Sequence, residues 1–164
     1  MLQRVFSRRA AAAVVLCSIA LAPAASFAQS APFASLSGVW TGTGSISLSD
    51  GSRERIKCRA TYAVGDHGNG LQQTLRCASD SYKFELSSNV RNANGVISGN
   101  WTEATRGVSG SLEGSARSGL FQVVVSSPAF TASLSLATQG NTQTVKITSQ
   151  GTEFSGVTIT LSRS

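Results

Sequence analysis

The sequence predicts an all-β protein: an antiparallel up-and-down meander of about 8–10 strands that closes into a barrel and carries one disulfide. Three observations predict it. From Trp40 onward apolar and polar residues alternate with a period of two, and no stretch carries an apolar stripe at the helical period. The alternating runs are punctuated by short clusters of Gly, Asn, Asp and Ser, the residues that make tight turns. Short links between successive runs favour antiparallel neighbours, and a meander of this length closes on itself rather than leave two edges unpaired.

The chain opens with MLQRVFSRR, cationic through Arg4, Arg8 and Arg9, and continues into the apolar run AAAVVLCSIALAPAA. That run is short for a bilayer span, and small residues at Ser26 and Ala28 suit a signal peptidase. Residues 1–28 therefore read as a secretory signal peptide and 29–164 as a single β-barrel domain. The general secretory route is expected, with Ser7-Arg8-Arg9 leaving a twin-arginine route open. The expected location is the periplasm or the extracellular space, with no transmembrane segment after processing. Removal of Arg4, Arg8 and Arg9 takes Lys plus Arg from 14 to 11 against 8 Asp plus Glu, and the net charge from +6 to +3. Part of the basic balance thus belongs to the leader, which weakens any case for nucleic acid.

The first strand is expected at Val39 to Leu48. The second, RERIKCRATYAV, turns Ile56, Cys58, Ala60, Tyr62 and Val64 to one face and Arg53, Arg55, Lys57 and Arg59 to the other. GDHGNG (Gly65 to Gly70) is a loop, and LQQTLRCA resumes the alternation. Pairing Val64 with Leu71 sets Tyr62 against Gln73, Ala60 against Leu75 and Cys58 against Cys77. Hydrophobic phase, loop length and thiol position then agree on a Cys58–Cys77 disulfide in an oxidising compartment. The same register sets Arg59 against Arg76, a like-charge pair that calls for an anion or an acid nearby. Further strands are expected at Tyr82 to Val90, Val96 to Glu103 after the turn NANG, Val108 to Ala116, Leu120 to Ser126, Phe130 to Thr138, Thr142 to Thr148 and Phe154 to Arg163.

The only two tryptophans sit in an echo, LSGVWTG at Leu36 and ISGNWTE at Ile97, and an apolar-Ser-Gly triplet also occurs at Val108 and Phe154. Spacings of 61, 11 and 46 residues argue against a repeat array, so Ser-Gly reads as a bend or bulge where a strand joins the barrel. In a closed barrel the first and last strands are neighbours, which lets Arg163 pack on the Trp40 indole and seal one end.

Gly38-Val39-Trp40 on the first strand, the meander and Arg163 on the last strand resemble the calycin superfamily of lipocalins, fatty-acid-binding proteins and avidins. LSGVW is similar to the opening of avidin-like proteins, whereas Gly42 and Gly44 stand where avidins carry polar residues. The resemblance implies a binder of small apolar or mixed ligands in a barrel cavity. Tyr62, Gln73, Tyr82, Phe84, Trp101 and Glu103 fall on inward phases and are the candidate lining, with core packing, and a Glu103 out in solvent beside Arg106, as the structural alternative.

A second function class rests on Arg53, Arg55, Lys57, Arg59 and Arg76, a basic outer face that could meet an anionic envelope component or a protein. Glu54 and Asp80 would relieve it if it is merely a solvated face. CASDSYKF (Cys77 to Phe84) resembles a Ser-Gly-x-Tyr stretch of small barrels that inhibit host lysozymes. No nucleic-acid motif interleaves aromatics with these cations. Catalysis is not expected: His67 is the one histidine, the acids are scattered, and no nucleophile elbow or phosphate loop is present. No metal and no cofactor are expected.

Overall fold

The computed structural model describes residues 31–117, 119–150 and 152–164. The expected leader and its cleavage site at Gln29 lie outside them. Ten strands follow in order: β1 (Gly38–Leu48), β2 (Arg53–Gly65), β3 (Gly70–Ala78), β4 (Lys83–Ala93), β5 (Val96–Glu103), β6 (Val108–Arg117), β7 (Leu120–Ser126), β8 (Thr131–Gln139), β9 (Thr142–Ser149) and β10 (Phe154–Arg163). Each strand pairs antiparallel with its sequence neighbours, and β1 pairs with β10 to close the barrel. The only helical pieces among the described residues are single 3-10 turns at Ala34–Leu36 and Asp66–Gly68. No helix there is long and apolar enough to cross a membrane.

The β2–β3 register is the one the cysteines demand: Val64 faces Leu71, Tyr62 faces Gln73, and Cys58 faces Cys77 with the disulfide formed. Strand β4 starts one residue later than the alternation suggests and ends three later, so Tyr82 lies in the loop before it. The β4–β5 hairpin turns on Asn94 and Gly95, both at positive φ, the two-residue geometry that matches strand twist.

Of the four apolar-Ser-Gly triplets only Phe154-Ser155-Gly156 falls at a register irregularity, where Ser47 faces Gly156 and Leu48 faces Phe154. Ser98-Gly99 and Ser109-Gly110 lie in an unbroken β5–β6 ladder and serve close approach instead. A Cβ on Gly99 would stand 2.2 Å from the Asn89 carbonyl oxygen, and one on Gly110 would stand 1.8 Å from that of Ser126. Gly42, at 1.9 Å from the Thr160 oxygen by the same measure, does the same work beside the β1–β10 seam. These inward positions carry no side chain because the backbone of the neighbouring strand lies across them.

The four hairpin turns that follow even-numbered strands, β2–β3, β4–β5, β6–β7 and β8–β9, gather with residues 31–37 and the C-terminal Ser164 at one mouth of the barrel. That mouth is plugged. Phe33 and Leu36, both 1% exposed, enter it from the turn before β1, and Phe33 stacks on Phe121 with ring centroids 5.7 Å apart. The Trp40 indole N–H donates to the Leu36 carbonyl at 2.7 Å. The Arg163 guanidinium lies 4.4 Å from the Trp40 ring centroid and donates to the carbonyls of Ser35 and Ser37, so it holds the plug from outside.

Candidate functional site

The other end of the lumen is bounded by the β1–β2, β3–β4, β5–β6, β7–β8 and β9–β10 connections, and it is not filled. A chamber of about 160 Å³ lies just inside that mouth, lined by Tyr82, Phe84, Trp101, Phe130, Leu134 and Phe154 among others. Deeper in, a chamber of about 110 Å³ reaches from Trp101 and Phe84 to Tyr62, Gln73 and the Phe33–Leu36 plug. Phe84, Leu86, Trp101, Val125, Leu134 and Ile147 line both, so the two are one lumen divided by side chains. Its walls are apolar because every strand sends its alternate Val, Leu, Ile or aromatic residue inward.

All six sequence-predicted cavity residues reach this lumen. Tyr82, Phe84, Trp101 and Glu103 line the outer chamber, and Tyr62, Gln73, Phe84 and Trp101 the inner. Their environments differ. Trp101 packs over Gly110, donates its indole N–H to the Ser111 carbonyl at 3.0 Å and tilts against Phe130 at 5.8 Å. Gln73 accepts from the Ser88 hydroxyl at 3.3 Å, a small polar spot on an otherwise aliphatic wall. Tyr62 is committed elsewhere: its hydroxyl donates to Gln143 Oε1 at 2.6 Å, and Gln143 is fully buried at the plugged end. Burial pushes the Tyr62 phenol well above its usual range, against the opposing pull of that bond, so it remains a donor.

Glu103 corrects the reading that sets it in solvent. It is 8% exposed and its carboxylate accepts the backbone N–H groups of Glu85, Thr105 and Arg106 at 3.0, 2.9 and 2.8 Å. Burial opposes ionisation, but these three donors outweigh it and hold the carboxyl below the ordinary range. Glu103 therefore clamps the β5–β6 turn. Arg106 on that turn reaches over the mouth, 3.9 Å from Glu103, 3.8 Å from Glu153 and 5.9 Å from the Tyr82 ring centroid.

Arg53, Arg55, Lys57, Arg59 and Arg76 are all exposed on the outer wall, and Arg59 stands directly against Arg76. The expected relief by Glu54 and Asp80 is not what forms. Glu54 is partly buried and accepts from Ser79 Oγ at 2.6 Å, and Asp80 makes no ion pair among the described residues. Glu85 supplies the counter-charge instead, accepting from Arg76 Nε at 2.7 Å. In CASDSYKF, Ser79 closes the β3–β4 turn, bonding the Tyr82 N–H through its hydroxyl at 2.8 Å. The stretch is thereby accounted for as a turn. Sequence reasoning missed Phe33, Leu36 and Gln143, and it set Arg106 beside Glu103, as found, without placing it over the mouth. Gln143 was detectable as a polar residue in phase with Val145 and Ile147, whereas Phe33 and Leu36 lie outside the alternation.

No protein-family model matches the chain, and no curated protein does. Among solved structures the fold is similar to Rv2717c from M. tuberculosis, with a TM-score of 0.62 and 12% identity over 80% of this chain and 94% of that one. It is also similar to the S-type phycobiliprotein lyase CPES from Guillardia theta, with a TM-score of 0.56 and 9% identity over 80% and 90% of the two chains. The expected closed antiparallel barrel therefore holds as a fold of ten strands, shared with these two structures. The expectation that this chain is not an enzyme is overturned as an inference from architecture, because the same barrel serves a lyase.

Proposed function

We propose that this protein is an exported barrel that holds a small apolar or mixed ligand in the lumen behind Tyr82, Phe130 and Phe154. The observation that carries the reading is the unfilled, continuous apolar space at one mouth while the opposite mouth is plugged. Side chains in a folded interior ordinarily interdigitate, so space left between aliphatic and aromatic walls forfeits dispersion contacts that a guest restores. Dry apolar cavities on the order of 150 Å³ take benzene-sized guests, which scales the ligand to one ring or a short alkyl chain in the outer chamber, extended by one bend into the inner. The fold's use by a phycobiliprotein lyase is compatible with such a lumen, and the proposal concerns occupancy rather than what then happens to the ligand. Export rests on the leader-like residues 1–28 and on the disulfide, and it predicts a periplasmic chain whose mass starts at Gln29.

Titration with iodobenzene, a ring-sized heavy-atom quencher, tests the lumen. Tryptophan emission is expected to quench saturably, through contact with Trp101. Val125→Phe, which projects into both chambers, should weaken the effect at least about tenfold, the change that 1.4 kcal/mol of lost binding corresponds to. Val124→Phe, on the outer wall one residue away, should leave it intact. Unsaturable quenching, or equal behaviour of the two variants, would defeat the proposal.

A further inference from the structure

We infer that the outer face of β1, β2 and β3 is a second binding surface, separate from the lumen, that holds a linear acidic polysaccharide. Four cations, Arg53, Arg55, Lys57 and Arg59, project from alternate positions of β2 and are all exposed. Alternate strand residues repeat every ~6.8 Å, so the charges form a straight row of about 20 Å. Arg76 on β3 and Lys83 at the start of β4 widen it, and with Lys57 and Arg59 they frame a groove of about 250 Å³ over the Cys58–Cys77 bridge. Glu85 is the one acid in that groove, and it is engaged by Arg76. Among the described residues no acid stands on the outer faces of β1, β2 or β3.

Beside the cation row runs a hydroxyl row in strict register. Ser47 pairs with Arg53, Ser45 with Arg55, Thr43 with Lys57 and Thr41 with Arg59. This juxtaposition selects the chemistry of the ligand. Carboxylates recurring along an extended polymer meet the guanidinium and ammonium groups, while its sugar hydroxyls exchange hydrogen bonds with the Ser and Thr row. No aromatic residue stands on these three outer faces, so the stacking platform of a single-stranded nucleic-acid site is missing. Nor do they offer the broad apolar stripe that a membrane-surface element inserts. The disulfide beneath Lys57, Arg59 and Arg76 joins the two strands that carry them, so the Arg59–Arg76 juxtaposition is built in; Glu85 answers the Arg76 member alone, and an arriving polyanion meets Arg59.

The experiment uses the mature chain and four probes: oligogalacturonate, neutral dextran, polyglutamate and phosphatidylglycerol vesicles, followed calorimetrically at low salt. Oligogalacturonate should bind more tightly than polyglutamate or the vesicles, dextran should not bind, and affinity should fall as ionic strength rises. Arg55→Glu, Lys57→Glu and Arg59→Glu together should weaken oligogalacturonate binding roughly 100-fold, since each exposed pair contributes up to about fivefold. Iodobenzene quenching should be unchanged in that variant, which reports an intact barrel and separates this surface from the lumen. If the reversed variant does not fold, the neutral set Arg55→Gln, Lys57→Gln and Arg59→Gln replaces it, with a loss of at least tenfold expected. Undetectable oligogalacturonate binding, equal binding of polyglutamate or vesicles, or unchanged affinity in the folded variants would each overturn the inference.

Discussion

Tyr62 and Gln143 form the one buried polar pair bridging β2 and β9 at the plugged end, and their double-mutant cycle tests how that end is held. Tyr62→Phe keeps the ring and removes the donor, leaving Gln143 Oε1 unpaired at a position with 0% exposure. An orphaned buried acceptor costs about 1–3 kcal/mol, so we expect a loss near 2 kcal/mol. Gln143→Leu strands the Tyr62 hydroxyl, itself 3% exposed, and removes the 3.3 Å bond from Gln143 Nε2 to Thr138, for a comparable loss. Tyr62→Phe with Gln143→Leu leaves no unpaired group in that pair and an apolar contact in its place, so the double variant should lie within about 1 kcal/mol of the parent. The coupling is then about 3 kcal/mol, far above the few tenths seen for independent sites. Urea unfolding followed by tryptophan emission gives all four corners, with an unchanged slope required for the comparison. Because burial keeps the Tyr62 phenol protonated, the cycle should read the same between about pH 6 and 9. Additivity of the two single losses would refute the reasoning, because it would mean that neither group depends on the other for its partner.

Three further outcomes follow from the same contacts. Cys58→Ser with Cys77→Ser opens a loop with a sequence separation of 19 and should cost about 3 kcal/mol in urea unfolding. Glu103 has a folded pKa held below its unfolded value, so its contribution is present above the unfolded pKa and is lost as pH falls through the folded one. Glu103→Gln should flatten that part of the acid limb of stability against pH, measured by urea midpoints across an acid series. Arg163→Ala removes the stack on Trp40 and two carbonyl contacts, and should lower stability by about 1–2 kcal/mol and increase exchange of the Leu36 and Trp40 amides.

The barrel wall was legible because its signal is local: inward Ile56, Cys58, Ala60 and Tyr62 alternate with outward cations, and one register satisfies both cysteines. Closure followed from the cost of unpaired edges, and the Trp40–Arg163 neighbourhood follows from closure. What escaped depends on contacts distant in sequence. Phe33 reaches Phe121 from an aperiodic turn, so no alternation marks it. Glu103 fell on an inward phase, with a solvated strand end as the alternative, and what alternation could not supply was its set of partners. Its burial follows from three N–H groups of which one, on Glu85, comes from the neighbouring strand. The basic face was visible as a row, but its partner hydroxyl row appears only once β1 is paired to β2. Unfilled volume is the least legible property of all, since it is a small remainder after large side chains such as Phe84, Trp101 and Phe130 have been packed.

The most direct test of the central claim is a crystal of the mature chain soaked with iodobenzene, with the iodine located by its anomalous scattering. A lumen that binds small apolar ligands predicts the strongest peak inside the barrel, between Trp101, Phe130 and Leu134, and its disappearance in Val125→Phe. Iodine confined to the outer wall beside the exposed Leu120 and Val124, with the lumen empty, would contradict it.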